Sequence, residues 1–581
     1  MTVDARAKAL AAQQQLVTTD PPFAVIACPG AGKTRLIVER HLSRPVPVRA
    51  GRAVTSFTRV ATTEVYRRCA AADRLDLTDH PHLISTLDTF LWLHLVRPFL
   101  PAGRTWIRLE SWRDAPAADA TFIASKRPFH LADADFSYDP ATSLWSPRPT
   151  GAARRGALPA DWARQALRTR TTLTTAGYIT GTELRAHASR NLANLGDRIG
   201  PMLTAKYAEL VVDEAQDCST ADLHILRRLH DLGLPLILVA DPDQAIYGFR
   251  GAATDALMTF ATTLGRRDLI HNWRSTTAIC TLAATLRADP ARRIPDVAVA
   301  DHHDAAHPVP VYTSADQDAI TADFIGYADK LGIGTAECLV LSHGQTTLPK
   351  TYAGPANPPP AKSTSLAWAA GIITEYPSAP TRVRTRARDI LHRTVLRWWY
   401  ADADRLTATE TLTANDIDPA DFERLVHRIT YALPSLDQPM STWVSAAATT
   451  LTAHPPANAA ARSGTKLPCT AKQRLQSARS VAGLPSGAAA GARPRLSTVH
   501  QAKGDEANAV LIIMPARADT NATITAWLSG TTTDPDVAEA LRVIYVAITR
   551  ARRLVGLAVP AADRDRVLAH LHQHGVGTEL R

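Results

Sequence analysis

Residues 27–34 read Ala-Cys-Pro-Gly-Ala-Gly-Lys-Thr, a phosphate-binding pattern with Ala27 where the first glycine would stand. Cys28, Pro29 and Ala31 fill the loop, while Gly30 and Gly32 let its backbone N–H groups face phosphate oxygens. Lys33 reaches the β- and γ-oxygens, the Thr34 hydroxyl suits Mg2+, and the helix that starts there adds positive potential. Far downstream, 213–217 read Asp-Glu-Ala-Gln-Asp behind Leu210-Val211-Val212, so two carboxylates emerge at the C-terminal end of a strand, where parallel α/β sheets bind ligands. Asp213 is placed to hold Mg2+ and Glu214 to serve as the base for an attacking water, which hydrolysis requires. A glycine-rich loop alone can arise by chance in a chain rich in Gly and Ala; the two motifs in this order predict nucleotide hydrolysis, with ATP and Mg2+.

Such groups need strands that end in loops. Phe23 to Ala27 is a short apolar run ending in the glycine-rich turn, and Leu36, Ile37 and His41 follow at helical spacing, a strand, loop and helix unit. Apolar runs recur at 53–57, 210–212, 234–240, 339–341, 510–514 and 554–559, with helical stretches between them. Alternation of this kind predicts parallel α/β sheets. Two regions break it. Residues 100–200 scatter Trp, Arg and Pro and read as an insertion; 346–493 are partly helical, bracketed by Gly354-Pro355 with Pro358-Pro359-Pro360 and by a Pro/Gly/Ala-rich stretch at 484–494 that read as linkers.

With 581 residues the chain is too long for one core. Its 45% hydrophobic and 21% charged residues exclude a disordered or fibrous protein. The opening residues Met1 to Lys8 lead into glutamines rather than the apolar core of a signal peptide, and no stretch approaches the roughly 20 apolar residues of a membrane span. The cytosol is the expected address, with no membrane partner. Cysteines at 28, 69, 218, 280, 338 and 469 form no CxxC pair, which speaks against a zinc site, an iron–sulfur cluster or a disulfide scaffold. A net charge of +10 favours polyanion partners such as nucleic acid.

Further motifs give the chain a resemblance to the UvrD/Rep-like DNA helicases of superfamily 1. They are Ser56-Phe57-Thr58-Arg59, Thr86-Leu87-Asp88-Thr89-Phe90, the segment Ala240-Asp241-Pro242-Asp243-Gln244-Ala245-Ile246-Tyr247-Gly248-Phe249-Arg250-Gly251-Ala252, Asn272-Trp273-Arg274-Ser275, Thr498 to Glu506, and Tyr545-Val546-Ala547-Ile548-Thr549-Arg550-Ala551. The resemblance implies that Gln13, first of three consecutive glutamines, reads adenine, and that Trp273, where the family usually has Tyr, stacks on it with Arg35 opposite. It implies that Gln244 and Arg274 meet the γ-phosphate, that Glu506 meets the ribose, and that Arg550 is an arginine finger. Phe57, Thr58, Arg59, Tyr247, Phe249, His500 and Lys503 are implied DNA contacts, with aromatic rings suited to sequence-tolerant base stacking. Asp505 stands where the family more usually has Leu.

The fold implied is a pair of RecA-like P-loop motor domains with parallel sheets, each carrying a mostly helical accessory insert. The first domain takes 1–99 and 201–285 around an insert at 100–200; the second takes 286–345 and 494–581 around an insert at 346–493. ATP is then expected in a cleft that closes on binding, as single-stranded DNA and its junctions with duplex are tracked 3′→5′. In the second insert, Arg382, Arg384, Arg386, Arg388, Arg393 and Arg397 precede Trp398-Trp399-Tyr400: either a helix for duplex DNA or a partner, or a solvated helix with its aromatics in the core. The insert is shorter than that of full-length family members. Three functions compete: an autonomous helicase in repair, recombination or replication; the motor subunit of a larger repair, recombination or antiphage defence assembly whose nuclease or repair partner is another chain, because the roughly 30 residues after Arg550 are too few for a nuclease domain; and a non-motor nucleotide-dependent scaffold or regulator. The last predicts loss of Lys33, Glu214 or Arg550, and all three are present.

Overall fold

In the computed structural model, Phe23–Ala27 (β1), Gly51–Ser56 (β2), Leu83–Thr86 (β3), Tyr207–Val212 (β4), Leu236–Ala240 (β5) and Arg266–Leu269 (β6) build a six-stranded sheet. The structure describes residues 2–581 apart from positions 48, 58, 103–105, 117, 140–141, 143, 151–156, 247–252, 288, 314–315, 345–346, 350–351, 353–357, 360–361, 377–378, 380, 407, 457, 460–462 and 485–492. Strand order is β6-β1-β5-β4-β2-β3 and all pairings are parallel. Parallel neighbours require crossovers, and helices Lys33–Ser43, Arg59–Ala71, Thr220–Asp231 and Thr254–Leu264 supply four of them. Side chains alternate across each strand, so β1 feeds two cores: Ala24 and Ile26 join one, Phe23, Val25 and Ala27 the other.

An ion network fixes one edge of this unit. Glu209 on β4 accepts from Arg40 Nε and a terminal nitrogen at 2.8 and 2.7 Å, and from Arg52 Nε at 2.5 Å, with all three side chains buried. Arg40 also donates to the carbonyls of Leu16, Val17 and Thr19 at 2.9–3.0 Å, tying the end of the helix Thr2–Thr18 to the sheet. His41 meets the Leu77 carbonyl at 2.9 Å, and His94 Nε2 lies 2.9 Å from the Tyr207 hydroxyl. Burial holds both imidazoles down, from 6.5 to about 4. The unfolded chain therefore takes up protons first, and stability is lost as pH falls from 6.5 toward 4. The urea midpoint should drop between pH 7.5 and pH 5, with less pH dependence in His94→Gln; a flat midpoint in the wild type would refute this.

Between β3 and β4 the expected mostly helical insert holds more strand than its composition suggests. Thr121–Ala124 pairs antiparallel with Arg127–His130, and Ala134–Asp139 with Leu144–Pro149, ahead of the helices Trp162–Ala176 and Gly181–Lys206. The first hairpin turns through Ser125 and Lys126, both at positive φ, without the Gly or Asn that ordinarily marks such a turn. Asp161 holds it instead, accepting from the Ser125 hydroxyl at 2.9 Å.

The second unit is built on Val309–Thr313 (β7), Cys338–Ser342 (β8), Arg495–Thr498 (β9), Ala507–Ile513 (β10), Ala551–Val559 (β11) and Thr578–Leu580 (β12), in the order β9-β8-β10-β11-β7-β12 and again parallel throughout. By compactness the first unit is Met1–Arg274 with Asp296–Val299, and the second Ser275–Pro295 with Ala300–Arg581. Between β8 and β9 lie helices Lys362–Glu375, Thr381–Trp399, Pro419–Ala432 and Met440–Ala453 around buried Trp368, Trp398 and Trp443. Trp399 and Tyr400 are buried in the same core while Arg384, Arg386 and Arg388 are exposed, the pattern of a solvated helix with an aromatic inner face. The Pro/Gly brackets of this insert lie largely outside the described residues. No described helix is long and apolar enough to cross a membrane.

Candidate active site

Strand order brings together loops that are distant in the chain. β1, β5 and β4 are consecutive neighbours, so their C-terminal ends set the glycine-rich loop beside Asp241 to Gln244 and beside Asp213 and Glu214. Gly30 and Gly32 take φ of +68° and +82°, which side-chain-bearing residues rarely adopt. A Cβ on Gly30 would come within 2.6 Å of Arg274 Cβ and Asn272 Oδ1, and one on Gly32 within 2.6 Å of Gln13 Nε2. The loop is thus enclosed by Gln13 on one side and by the segment after β6 on the other.

Gln13 is buried and donates Nε2 to the Ala31 carbonyl at 2.6 Å, while its Oε1 is buried with no partner among the described residues. Trp273 donates its backbone N–H to Gly30 O at 2.9 Å, and the Nε1 of its half-buried ring has no partner among the described residues. Arg274 donates its backbone N–H to Asn272 Oδ1 at 2.8 Å. Arg35 is ion-paired with Glu39 at 2.6 Å. The cation over the Trp273 ring is Arg6, 5.6 Å from its centroid.

Asp213 is buried, and its pKa is pushed up to about 7, chiefly by burial and next by the charge of Glu214, against the pull of Lys33. Glu214 has φ +54°, a conformation that costs a non-glycine residue of order 1–3 kcal/mol. Its carboxylate accepts from Gln216 Nε2, and Gln216 Oε1 accepts from the Asp241 backbone N–H at 3.0 Å. Asp241 Oδ2 then accepts from Gln244 Nε2 at 2.7 Å. Glu214, Gln216, Asp241 and Gln244 therefore form one hydrogen-bonded chain along the ends of β4 and β5. Gln216, Asp241, Asn272 and Arg6 were not expected as site residues; the first three sit inside quoted motifs, but only the fold reveals what they hold.

Lys33 and Thr34 are the first two residues of the helix Lys33–Ser43, at the end where a helix leaves backbone N–H groups without intrahelical partners. Phe57 packs partly buried on the core of the first unit, and Arg59 opens the helix Arg59–Ala71. Thr58, Tyr247 and Phe249 lie outside the described residues.

In the second unit, Glu506 and Arg550 immediately precede β10 and β11, at the N-terminal edge of the sheet. Arg550 is buried and donates to the carbonyls of Val546 and Asp505 at 3.1 and 3.2 Å. Glu506 pairs with Arg552 at 3.1 Å. The unusual Asp505 is matched by Arg495 at 2.6 Å, so its charge is compensated locally. His500 and Lys503 follow β9, with the His500 ring edge-on to His343 at 5.7 Å.

A glycine-rich loop at a helix N-terminus, beside carboxylates at the ends of neighbouring parallel strands, defines the class as a phosphate-loop α/β protein. Residues 169–264, which carry Asp213, Glu214, Gln216, Asp241 and Gln244, match the model of the UvrD/REP helicase N-terminal domain. Over that stretch the chain is similar to the UvrD-like helicases of superfamily 1. It is similar to the RecBCD enzyme subunit RecB of Mycobacterium tuberculosis (strain ATCC 25618 / H37Rv), 36% identical over 101 residues, which is 17% of this chain and 9% of that protein. RecB of Mycolicibacterium smegmatis is 32% identical over 105 residues, covering 16% and 10%, and that of Buchnera aphidicola 33% over 91 residues, covering 15% and 8%. The match therefore spans a tenth or less of these relatives.

Proposed function

We propose that the protein is an ATP-dependent DNA helicase or translocase, built on two RecA-like motor domains with the two inserts as accessory subdomains, and moving 3′→5′ on single-stranded DNA. The hydrogen-bonded chain from Glu214 through Gln216 and Asp241 to Gln244, beside a phosphate loop and inside the family-matched stretch, carries this reading. Lys33 and the loop N–H groups bind the triphosphate. Gln13 offers its buried Oε1 to an exocyclic amine of the base, and Trp273 offers a stacking face. Thr34 and Asp213 fit Mg2+, because a buried carboxylate raised beside a second carboxylate is relieved by a cation. Mg2+ there would neutralise charge on the β- and γ-phosphates. Glu214 takes the proton of the attacking water, Gln244 and Arg274 meet the γ-phosphate, and Arg550 adds a second cation to the transferring phosphoryl group. Glu506 serves the ribose; Phe57, Thr58, Arg59, Tyr247, Phe249, His500 and Lys503 serve the DNA.

The test is ATPase activity with and without single-stranded DNA, and strand displacement on 3′-tailed against 5′-tailed duplexes, with Lys33→Ala as control. DNA-stimulated hydrolysis and opening of the 3′-tailed substrate are expected, both lost in Lys33→Ala. Displacement confined to the 5′-tailed duplex would reverse the polarity, and hydrolysis indifferent to DNA would remove the motor. One observation favours a second reading: the relatives are named as subunits of a larger enzyme. Strong DNA-stimulated hydrolysis without unwinding would favour a motor that acts with a nuclease on another chain.

A further inference from the structure

We infer that Arg6, on the N-terminal helix, is the cation that clamps the nucleotide base against Trp273; this rests on the nucleotide reading above. The helix Thr2–Thr18 presents Arg6 and Gln13 seven residues apart, two turns and about 20° round its axis, hence on one face. Gln13 is fixed by its hydrogen bond to Ala31 O in the phosphate loop, and the far end of the helix is fixed by the three carbonyls that Arg40 holds. The same face therefore delivers Arg6 to Trp273, whose own backbone is pinned to Gly30.

The spacing says what Arg6 does. Its guanidinium carbon lies 5.6 Å from the ring centroid, a cation–π contact. An aromatic base held between ring and guanidinium needs two van der Waals gaps of about 3.5–4.0 Å, or roughly 7–8 Å in all. Arg6 thus rests on the ring and withdraws by roughly 2 Å as a base enters, exchanging contact with Trp273 for contact with the base while the pocket stays capped. Arg35, the residue the motif resemblance would put opposite Trp273, is engaged with Glu39 on its own helix at 2.6 Å. A planar, delocalised guanidinium stacks on either ring, whereas lysine offers a point charge.

The clamp acts on the base alone, which gives a readout that damage to the helix would not produce. Binding of two Mg2+-loaded probes to the full chain is measured by calorimetry: the non-hydrolysable β,γ-imido analogue of ATP, and inorganic tripolyphosphate, which has the phosphates without the base. Arg6→Ala should weaken the ATP analogue about tenfold and leave tripolyphosphate within about twofold; Arg6→Lys should recover part of the loss, and Arg35→Ala should cost less than Arg6→Ala. Unchanged or tighter binding of the analogue by Arg6→Ala overturns the clamp, as does equal weakening of both probes, the mark of a disturbed helix. A wild-type chain that binds tripolyphosphate as tightly as the analogue has no base pocket and also overturns it. If the wild type binds neither probe, the nucleotide reading itself falls.

Discussion

Glu214→Gln is expected to reduce the turnover number for ATP hydrolysis by about 10²–10⁴-fold, the usual contribution of a positioned general base. Binding of ATP should change little, because the substitution keeps the size of the side chain and leaves the phosphate loop intact. The hydrogen bond from Gln216 Nε2 asks its partner for an acceptor, and a glutamine oxygen still supplies one, so the chain to Asp241 and Gln244 should persist. What is lost is the ability to take a proton from water. Single-turnover hydrolysis with ATP affinity measured in parallel separates the two effects. A variant that hydrolyses within about threefold of the wild type would remove Glu214 from the role of base and direct attention to another acceptor near the γ-phosphate.

The second large effect falls on stability. Glu209→Ala leaves the guanidinium groups of Arg40 and Arg52 buried without their counter-charge, each side chain being no more than 2% exposed. Removing one partner of a buried ion pair costs about 3–5 kcal/mol. For a unit of this size the melting temperature should fall by on the order of 10 °C. Burial raises the Glu209 pKa, and the hydrogen bond from Arg40 with the charge of Arg52 more than reverses this, so the net shift is downward. The group's stabilisation is accordingly full above its ordinary value and lost as pH falls through the lower folded one. Scanning calorimetry decides the matter, and a melting temperature within 1 °C of the wild type would mean that the carbonyl acceptors around the two arginines suffice without Glu209.

The parallel sheets and the glycine-rich loop with its neighbouring carboxylates were legible in the sequence because each is a local pattern: an apolar run followed by a loop of restricted residue types. What escaped depends on which strands lie side by side. Gln216 reads as an unremarked letter of Asp-Glu-Ala-Gln-Asp until β4 and β5 become neighbours and its amide meets Asp241. Asp505 looks like a misplaced charge until the fold sets Arg495, at the start of β9, within 2.6 Å of it. Arg6 carries no motif at all, and its place is set by helix register and by Arg40. The hairpin at Ser125-Lys126 was hidden for a different reason, since its turn depends on Asp161 rather than on a glycine. Trp398, Trp399 and Tyr400 show the limit of composition: beside so many arginines they suit a nucleic-acid surface equally well, and only packing assigns them to the core.

One consequence of the first sheet concerns how such a chain can grow. Among the described residues β3 is the outermost strand, next to β2 and with no strand beyond it, and the insert between β3 and β4 begins there. Material added at that rim displaces none of the three central strands whose ends carry the glycine-rich loop and the carboxylates. The exit acts as a socket: modules of different length or architecture, hairpins included, can be exchanged in it over evolutionary time or by design while the glycine-rich loop and the carboxylates keep their geometry.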